Sequence, residues 1–186
     1  LVDGGRVNRE VIEVCKANSR LPVEMEGDIY SLATCNDVGV ARLLETMEEF
    51  GLESLEEVGE HIVSSSRAAV LAALETVPRG TWRSAMRIDG YDRPIDLVAA
   101  VTVAPDGVTV DYEGTSPQEP RGINVPRAYT TAYTCFGLMC ALAPEVPNNA
   151  GSLSAFRVTA PAGTIVNAER PAPVSSRHIV GQMLPD

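Results

Sequence analysis

The hydrophobic period of this chain changes once, at Pro78, and that change decides which elements it can build. From Pro22 to Phe50, the residues Ile29, Leu32, Val40, Leu43, Leu44, Met47 and Phe50 recur close to every 3.6 positions, the spacing of an amphipathic helix. Gly51 follows where a helix needs a residue free to take positive φ. Ser54 and Glu57 have the spacing of a capping box. Leu55, Val58, Ile62, Ala69, Ala73 and Val77 then mark the stripe of a second long helix, which Pro78 stops. Two long helices joined by so short a link predict an antiparallel helical hairpin with Leu44 and Ile62 buried.

Beyond Pro78 the period is 2. Trp82, Ser84, Met86 and Ile88 share one face; Leu97, Ala99, Val101 and Val103 alternate; so do Val108, Val110 and Tyr112. Asp89-Gly90 and Pro105-Asp106-Gly107 are turn signals between these runs. The reading is a small antiparallel β-meander with one wet face. Asn124 before Pro126 fits the N-cap and first-turn proline of a helix. Val125–Leu142 is apolar on nearly all sides and predicts a buried helix. Phe156–Thr159 and Thr164–Val166 read as short C-terminal strands, and Asn8 as the cap of a short helix running through Lys16. The fold class is α+β, with a helical hairpin region over 1–80 and an α+β region over 81–186, forming one continuous domain of a longer subunit.

The charge balance narrows the partners. Formal net charge is −10, and the 15 Lys and Arg residues are scattered. No basic stripe exists for a phosphate backbone, so nucleic acid is not an expected partner, nor is an anionic membrane surface. No apolar run approaches the ~20 residues of a membrane helix. Cys15, Cys35, Cys135 and Cys140 form no C-x-x-C and read as small buried apolar residues of a reducing, cytoplasmic compartment. The chain opens on Leu1 rather than Met, without a signal peptide, and the apolar pattern of Ile179–Leu184 stops almost as it starts. Both features suggest a piece of a longer chain.

Candidate chemistry lies in the polar loops of the last third. Asn148-Asn149-Ala150-Gly151 offers amide donors and acceptors to a planar ligand, or is simply a turn. Asn124 either presents its amide at a helix N-terminus or only caps that helix. Ser175-Ser176-Arg177-His178 places two hydroxyls, a fixed cation and a titratable ring at a helix start, a set suited to a carboxylate or to solvent. A hydrolase triad finds no support: there is no G-x-S-x-G, and only two His are present. Gly114-Thr115-Ser116 is no P-loop, because no Gly-Lys-Ser/Thr follows. With two His and four separated Cys, no metal site is expected within the chain.

Taken in order, Asp111–Gln118 (DYEGTSPQ), Asn124-Val-Pro126, Asn148-Asn149-Ala150-Gly151 and Ala160–Asn167 (APAGTIVN) resemble the hydantoinase B/oxoprolinase family, as do Gly27-Asp28 and Pro171-Ala-Pro-Val174. The resemblance covers roughly residues 20 to 186. It implies a subunit of an ATP-dependent enzyme that opens cyclic amides such as hydantoins or 5-oxoproline; because relatives in the superfamily carboxylate ketones, the second possibility is a subunit of an ATP-dependent ketone carboxylase. It also implies an A-type partner subunit or domain that binds ATP, an oligomeric assembly, and a possible divalent metal with its ligands outside this chain. The family's Asn-Asp-Pro and Gly-Gly-Thr-His stretch is absent here. On this reading Asn149, Arg177 and His178 are the candidate catalytic residues. Asn124, Asn148 and Ser176 are candidate substrate-binding residues. Some relatives carry a Gly- and Asn-containing run at Ser175–His178. A third possibility is a non-catalytic scaffold and subunit-docking domain.

Overall fold

A computed structural model describes residues 1–185. Their contacts divide the chain into two compact units, Leu1–Val58 and Gly59 onward. Both helix and sheet are present, in separate runs along the chain, and the fold is α+β.

The first unit opens with a tiny antiparallel hairpin, β1 (Val2–Asp3) and β2 (Arg6–Val7), turning through Gly4 and Gly5 at φ 52° and 75°. Two consecutive positive φ angles are what a tight hairpin turn needs. Helix α1 (Arg9–Ala17) starts where Asn8 caps it, its side-chain oxygen accepting from the Val11 amide at 3.1 Å. Helix α2 (Pro22–Glu49) has proline in its first turn. Lys16 joins the two helices, sitting 3.0 Å from Glu13 and 2.7 Å from Glu26. At the far end of α2, Gly51 takes φ 63°, and Leu52 N–H donates to the Met47 carbonyl at 2.8 Å. This is the left-handed glycine stop read from the sequence.

Helix α3 (Glu56–Leu74) begins beside Ser54, whose hydroxyl accepts from the Glu56 amide. The expected burial of the two helical stripes is not realised. Leu44 is 60% exposed and Ile62 48%. Leu32, Val40, Leu43 and Phe50 on α2 are exposed too. On α3 the buried row is Ser66, Val70 and Leu74, at i, i+4 and i+8, with Ala73 and Val77 half-buried beside it. A 3.6-residue period identifies an apolar face. It does not say what covers that face, and only the C-terminal half of α3 lies on the core.

The second unit is built on one sheet ordered β3-β4-β5-β6. Strands β3 (Gly80–Ile88), β4 (Ile95–Ala104) and β5 (Gly107–Asp111) form the antiparallel meander, with Trp82 opposite Val101 and Met86 opposite Leu97. Arg87 clasps Asp96 across the first pair through two hydrogen bonds of 2.6 and 2.8 Å, and this holds the Asp96 carboxyl below its ordinary range. Strand β6 (Phe156–Thr159) adds to β5 in parallel. A parallel neighbour needs a crossover. Helix α4 (Arg127–Leu142) and the short α5 (Ala150–Leu153) supply it. The short α6 (His178–Gly181) follows.

Val70 and Leu74 of α3 meet Ile95, Leu97, Val108, Val110 and Phe156 of the sheet and Cys135 and Met139 of α4 in one core. Three expectations are corrected here. Helix α4 is buried along Thr130, Thr134, Cys135 and Met139, but Phe136 stands 55% exposed, so burial is not all round. Thr164–Val166 is no strand. Thr164 forms only isolated bridges to Pro117 and Asn167, because its neighbours' backbone groups pair with the loops at Ser116 and Val125. Of the cysteines, Cys135 is buried, whereas Cys35 and Cys140 are exposed and Cys15 is half-buried. No helix among the described residues is long and apolar enough to cross a membrane.

Two outcomes are expected. Leu74→Ala lowers stability to urea by about 2–5 kcal/mol, whereas Leu44→Ala in this chain changes it by about 0.5 kcal/mol or less. Native alkylation with iodoacetamide modifies Cys35 and Cys140 first. Cys135 reacts only on unfolding, because burial both shields its thiol and raises its pKa.

Candidate functional site

The polar boxes fold into two separate corners of the second unit. The first is organised by Asn124, which is fully buried. Its side-chain oxygen accepts from the Glu119 amide at 2.7 Å. Its Nδ2 donates to the carbonyls of Glu119 at 2.7 Å and of Arg121 and Pro173 at 2.9 Å. Asn124 is therefore not the N-cap of α4. That position falls to Pro126, with no side-chain cap bond. The carboxamide is consumed inside the loop, where an unpaired backbone group would be costly.

This clamp carries the segment that follows Pro173. Ser176 N–H donates to the Gly122 carbonyl at 2.7 Å, so the half-buried Ser176 is pinned by its backbone. Arg177 Nη1 donates to the Val174 carbonyl at 3.2 Å, and its guanidinium lies 5.6 Å from the centroid of the Tyr129 ring. Tyr129 stacks on Tyr133 at 4.3 Å. Arg177 and His178 are both exposed and open α6. In the loop that Asn124 clamps, the Glu119 carboxylate, whose side chain is 3% exposed, pairs with Arg93 at 2.8 Å. That partner lies 26 residues away along the chain, and nothing local in the sequence pointed to it.

The second corner holds Asn148 and Asn149. Asn149 is the N-cap of α5: its side-chain oxygen accepts from the Gly151 and Ser152 amides at 2.8 and 3.2 Å. In return the Ser152 hydroxyl oxygen accepts from the Asn149 amide at 3.0 Å, completing a capping box. Asn149 Nδ2 donates to the Ser66 hydroxyl of α3 at 2.7 Å. Gly151 explains the rest of the box. A Cβ there would lie 1.9 Å from the Val63 carbonyl oxygen, so only glycine lets α5 approach α3. Asn148 is exposed. Thus Asn124, Ser176, Arg177 and His178 share one corner, and Asn149 is held on α3 by a different set of bonds.

The hydroxyls of the Gly114–Ser116 loop are also engaged. Thr115 Oγ1 accepts from Val98 N–H and donates to the Val98 carbonyl, and Ser116 Oγ accepts from Asp96 N–H. This loop is stitched to β4 and does not fit a nucleotide phosphate. Among the described residues no group of three or more His, Cys, Asp or Glu is placed to hold a metal ion.

A loop clamp, a glycine-dependent helix contact and a mixed sheet with a helical crossover make up an α+β framework that carries the two polar corners. The comparisons agree on the class. The sequence matches the hydantoinase B/oxoprolinase family over residues 1–186, and the chain belongs to that family. A protein of Pseudomonas sp. (strain NS671), provisionally named as the B-type component of a D-/L-hydantoinase, is 30% identical over 198 residues, covering 99% of this chain and 33% of that protein. The crystal structure of ATP-dependent caprolactamase from Pseudomonas jessenii superposes with a TM-score of 0.81 at 26% identity, over 93% of this chain and 30% of that one. A nucleotide-free acetone carboxylase shares the fold, with a TM-score of 0.72 at 16% identity, over 93% of this chain and 25% of that one. The chain thus spans 30–33% of the length of three curated relatives and 12–14% of three 5-oxoprolinases.

Asn124→Ala is expected to cost about 2–4 kcal/mol in urea unfolding, since it strands the buried Glu119 amide and frees three carbonyls. Asn149→Ala costs about 1–2 kcal/mol as a lost cap. Asn149→Gly keeps much of the cap but loses the Ser66 bond, and falls between wild type and Asn149→Ala.

Proposed function

We propose that this chain is part of the B-type subunit of an ATP-dependent hydrolase that opens cyclic amides of the hydantoin or 5-oxoproline type. The observation that carries the reading is the family match along the whole chain, supported by the likeness to a protein named for a lactam. An unstrained amide carbonyl is a poor electrophile. ATP, bound by an A-type partner, supplies the activation, and any divalent metal takes its ligands from outside this chain. The remainder of the subunit completes the enzyme, which works as an oligomer in the cytoplasm.

Within that assembly the two corners take different roles. Arg177 and His178 are exposed on a backbone fixed by Asn124, and they face the reacting group. Arg177 brings a charge that cannot be neutralised at working pH and that suits a carboxylate product. His178 brings a ring able to carry a proton. Ser176, in the same corner, lines the substrate, whereas Asn148 stands exposed in the other corner beside Asn149. Asn124 and Asn149, whose carboxamides are occupied, act as positioning residues.

The test uses the full subunit with its A-type partner. Hydantoin, 5-oxoproline and caprolactam are offered with ATP, and acetone with bicarbonate in a parallel arm. ATP-dependent ring opening is the expected result, and carboxylation alone moves the assignment to a ketone carboxylase. The 186-residue chain by itself releases no phosphate from ATP with any of these substrates. Arg177→Gln in the complete enzyme lowers kcat/KM about 10²-fold with subunit assembly unchanged. Wild-type turnover in Arg177→Gln and in His178→Ala leaves the scaffold and docking role.

A further inference from the structure

At the end of the sheet where β5 and β6 begin, Arg67, Asp106, Gly107, Thr109, Ser154 and Arg157 surround a polar cavity of about 190 Å³. Arg67 is half-buried on α3, and its guanidinium is already aimed: Nη1 donates to the Ser154 hydroxyl at 2.9 Å, and Nη2 to the Asp106 carbonyl at 3.4 Å. Those two bonds leave donors of the fork unused. Arg157 is the outward residue of β6 between buried Phe156 and Val158, and it lies opposite Thr109 in the parallel register. Neither arginine pairs with a carboxylate within 4.0 Å among the described residues, although the chain carries 25 Asp and Glu against 15 Lys and Arg. The cavity floor is fixed by geometry. A Cβ on Gly107 would lie 2.1 Å from the Ala155 carbonyl oxygen, so the β4–β5 turn and the start of β6 cannot be pushed together or re-spaced by a side chain.

The Asp106 carboxylate lines the cavity as well, but among the described residues it pairs with neither arginine within 4.0 Å, so both guanidinium groups keep donors for a small anion. The volume suits a single tetrahedral or planar oxyanion. From these observations we infer that the Arg67–Ser154–Arg157 cavity binds a small oxyanion, a phosphate or a carboxylate group. Arg67 offers a fork pre-aimed by Ser154, whose own proton goes to the Gly151 carbonyl at 2.6 Å, the Thr109 hydroxyl adds a neutral donor, and Arg157 closes the open side. The site stands apart from the Arg177–His178 corner and does not depend on the cyclic-amide reading.

The experiment titrates the 186-residue chain with sodium phosphate, and in a second arm with sodium acetate, against chloride at matched ionic strength. Backbone amide shifts of Gly107 and Ser154 are followed by NMR. Saturable shifts near about 1 mM with phosphate or acetate, and none with chloride, are expected. The stronger of the two arms identifies the ligand as phosphate or carboxylate. Arg157→Gln, at an exposed position, and Arg67→Gln each weaken binding about tenfold, whereas Arg83→Gln on β3 leaves it unchanged. Absence of saturation by either anion up to about 50 mM, or unaltered affinity in Arg157→Gln, overturns the inference.

Discussion

One buried carboxamide holds the polar half of this protein in place. Asn124 accepts one backbone hydrogen bond and donates to three carbonyls, joining the 119–124 loop to the segment after Pro173. No aliphatic side chain can do this. The segment has no strand pairing of its own, so its backbone groups need side-chain or loop partners. Once Asn124 fixes the loop, Gly122 can accept from Ser176, and Arg177 and His178 are delivered to the surface on a defined backbone.

The sheet gives that loop its foundation. The parallel pairing of β6 with β5 forces the chain to travel out through α4 and α5 and back. The outward path creates the Asn124 corner and the return creates the Asn149 corner. Each corner uses the same device, an amide side chain replacing a missing backbone partner. Asn149 does so at the start of α5, reinforced by the close approach of Gly151 to α3. The long helix α2 is the contrast: Ile29 is its buried residue and its apolar stripe is open.

Much of the local structure was legible in the residues. Asn8, Pro22 and Gly51 bound their helices, α3 ends at Leu74 ahead of the stop expected at Pro78, and the alternations at Trp82–Ile88, Leu97–Val103 and Val108–Tyr112 lie in the expected antiparallel strands. These signals are local: a cap, a left-handed glycine or a period of two is decided within a few residues of itself. The candidate site was legible only as a set of polar loops. Whether Asn124 or Asn149 is free for a ligand depends on Pro173 and Ser66, which lie 49 and 83 residues away. Spacing along the chain contains no trace of such partners. The same is true of the Arg93–Glu119 pair and of the cavity shared by Arg67 and Arg157.

By itself the sequence determined the types and order of the main helices and strands, and the family to which the chain belongs, because those depend on periodicity, turn chemistry and motif order. The tertiary structure alone decided three things: that β6 pairs in parallel, that Leu44 and Ile62 are open while Val70 and Leu74 are core, and that two of the asparagines are clamps. The physical reason is common to all three. Burial and hydrogen-bond satisfaction are properties of what surrounds a group, and the surroundings are assembled from residues distant in the chain.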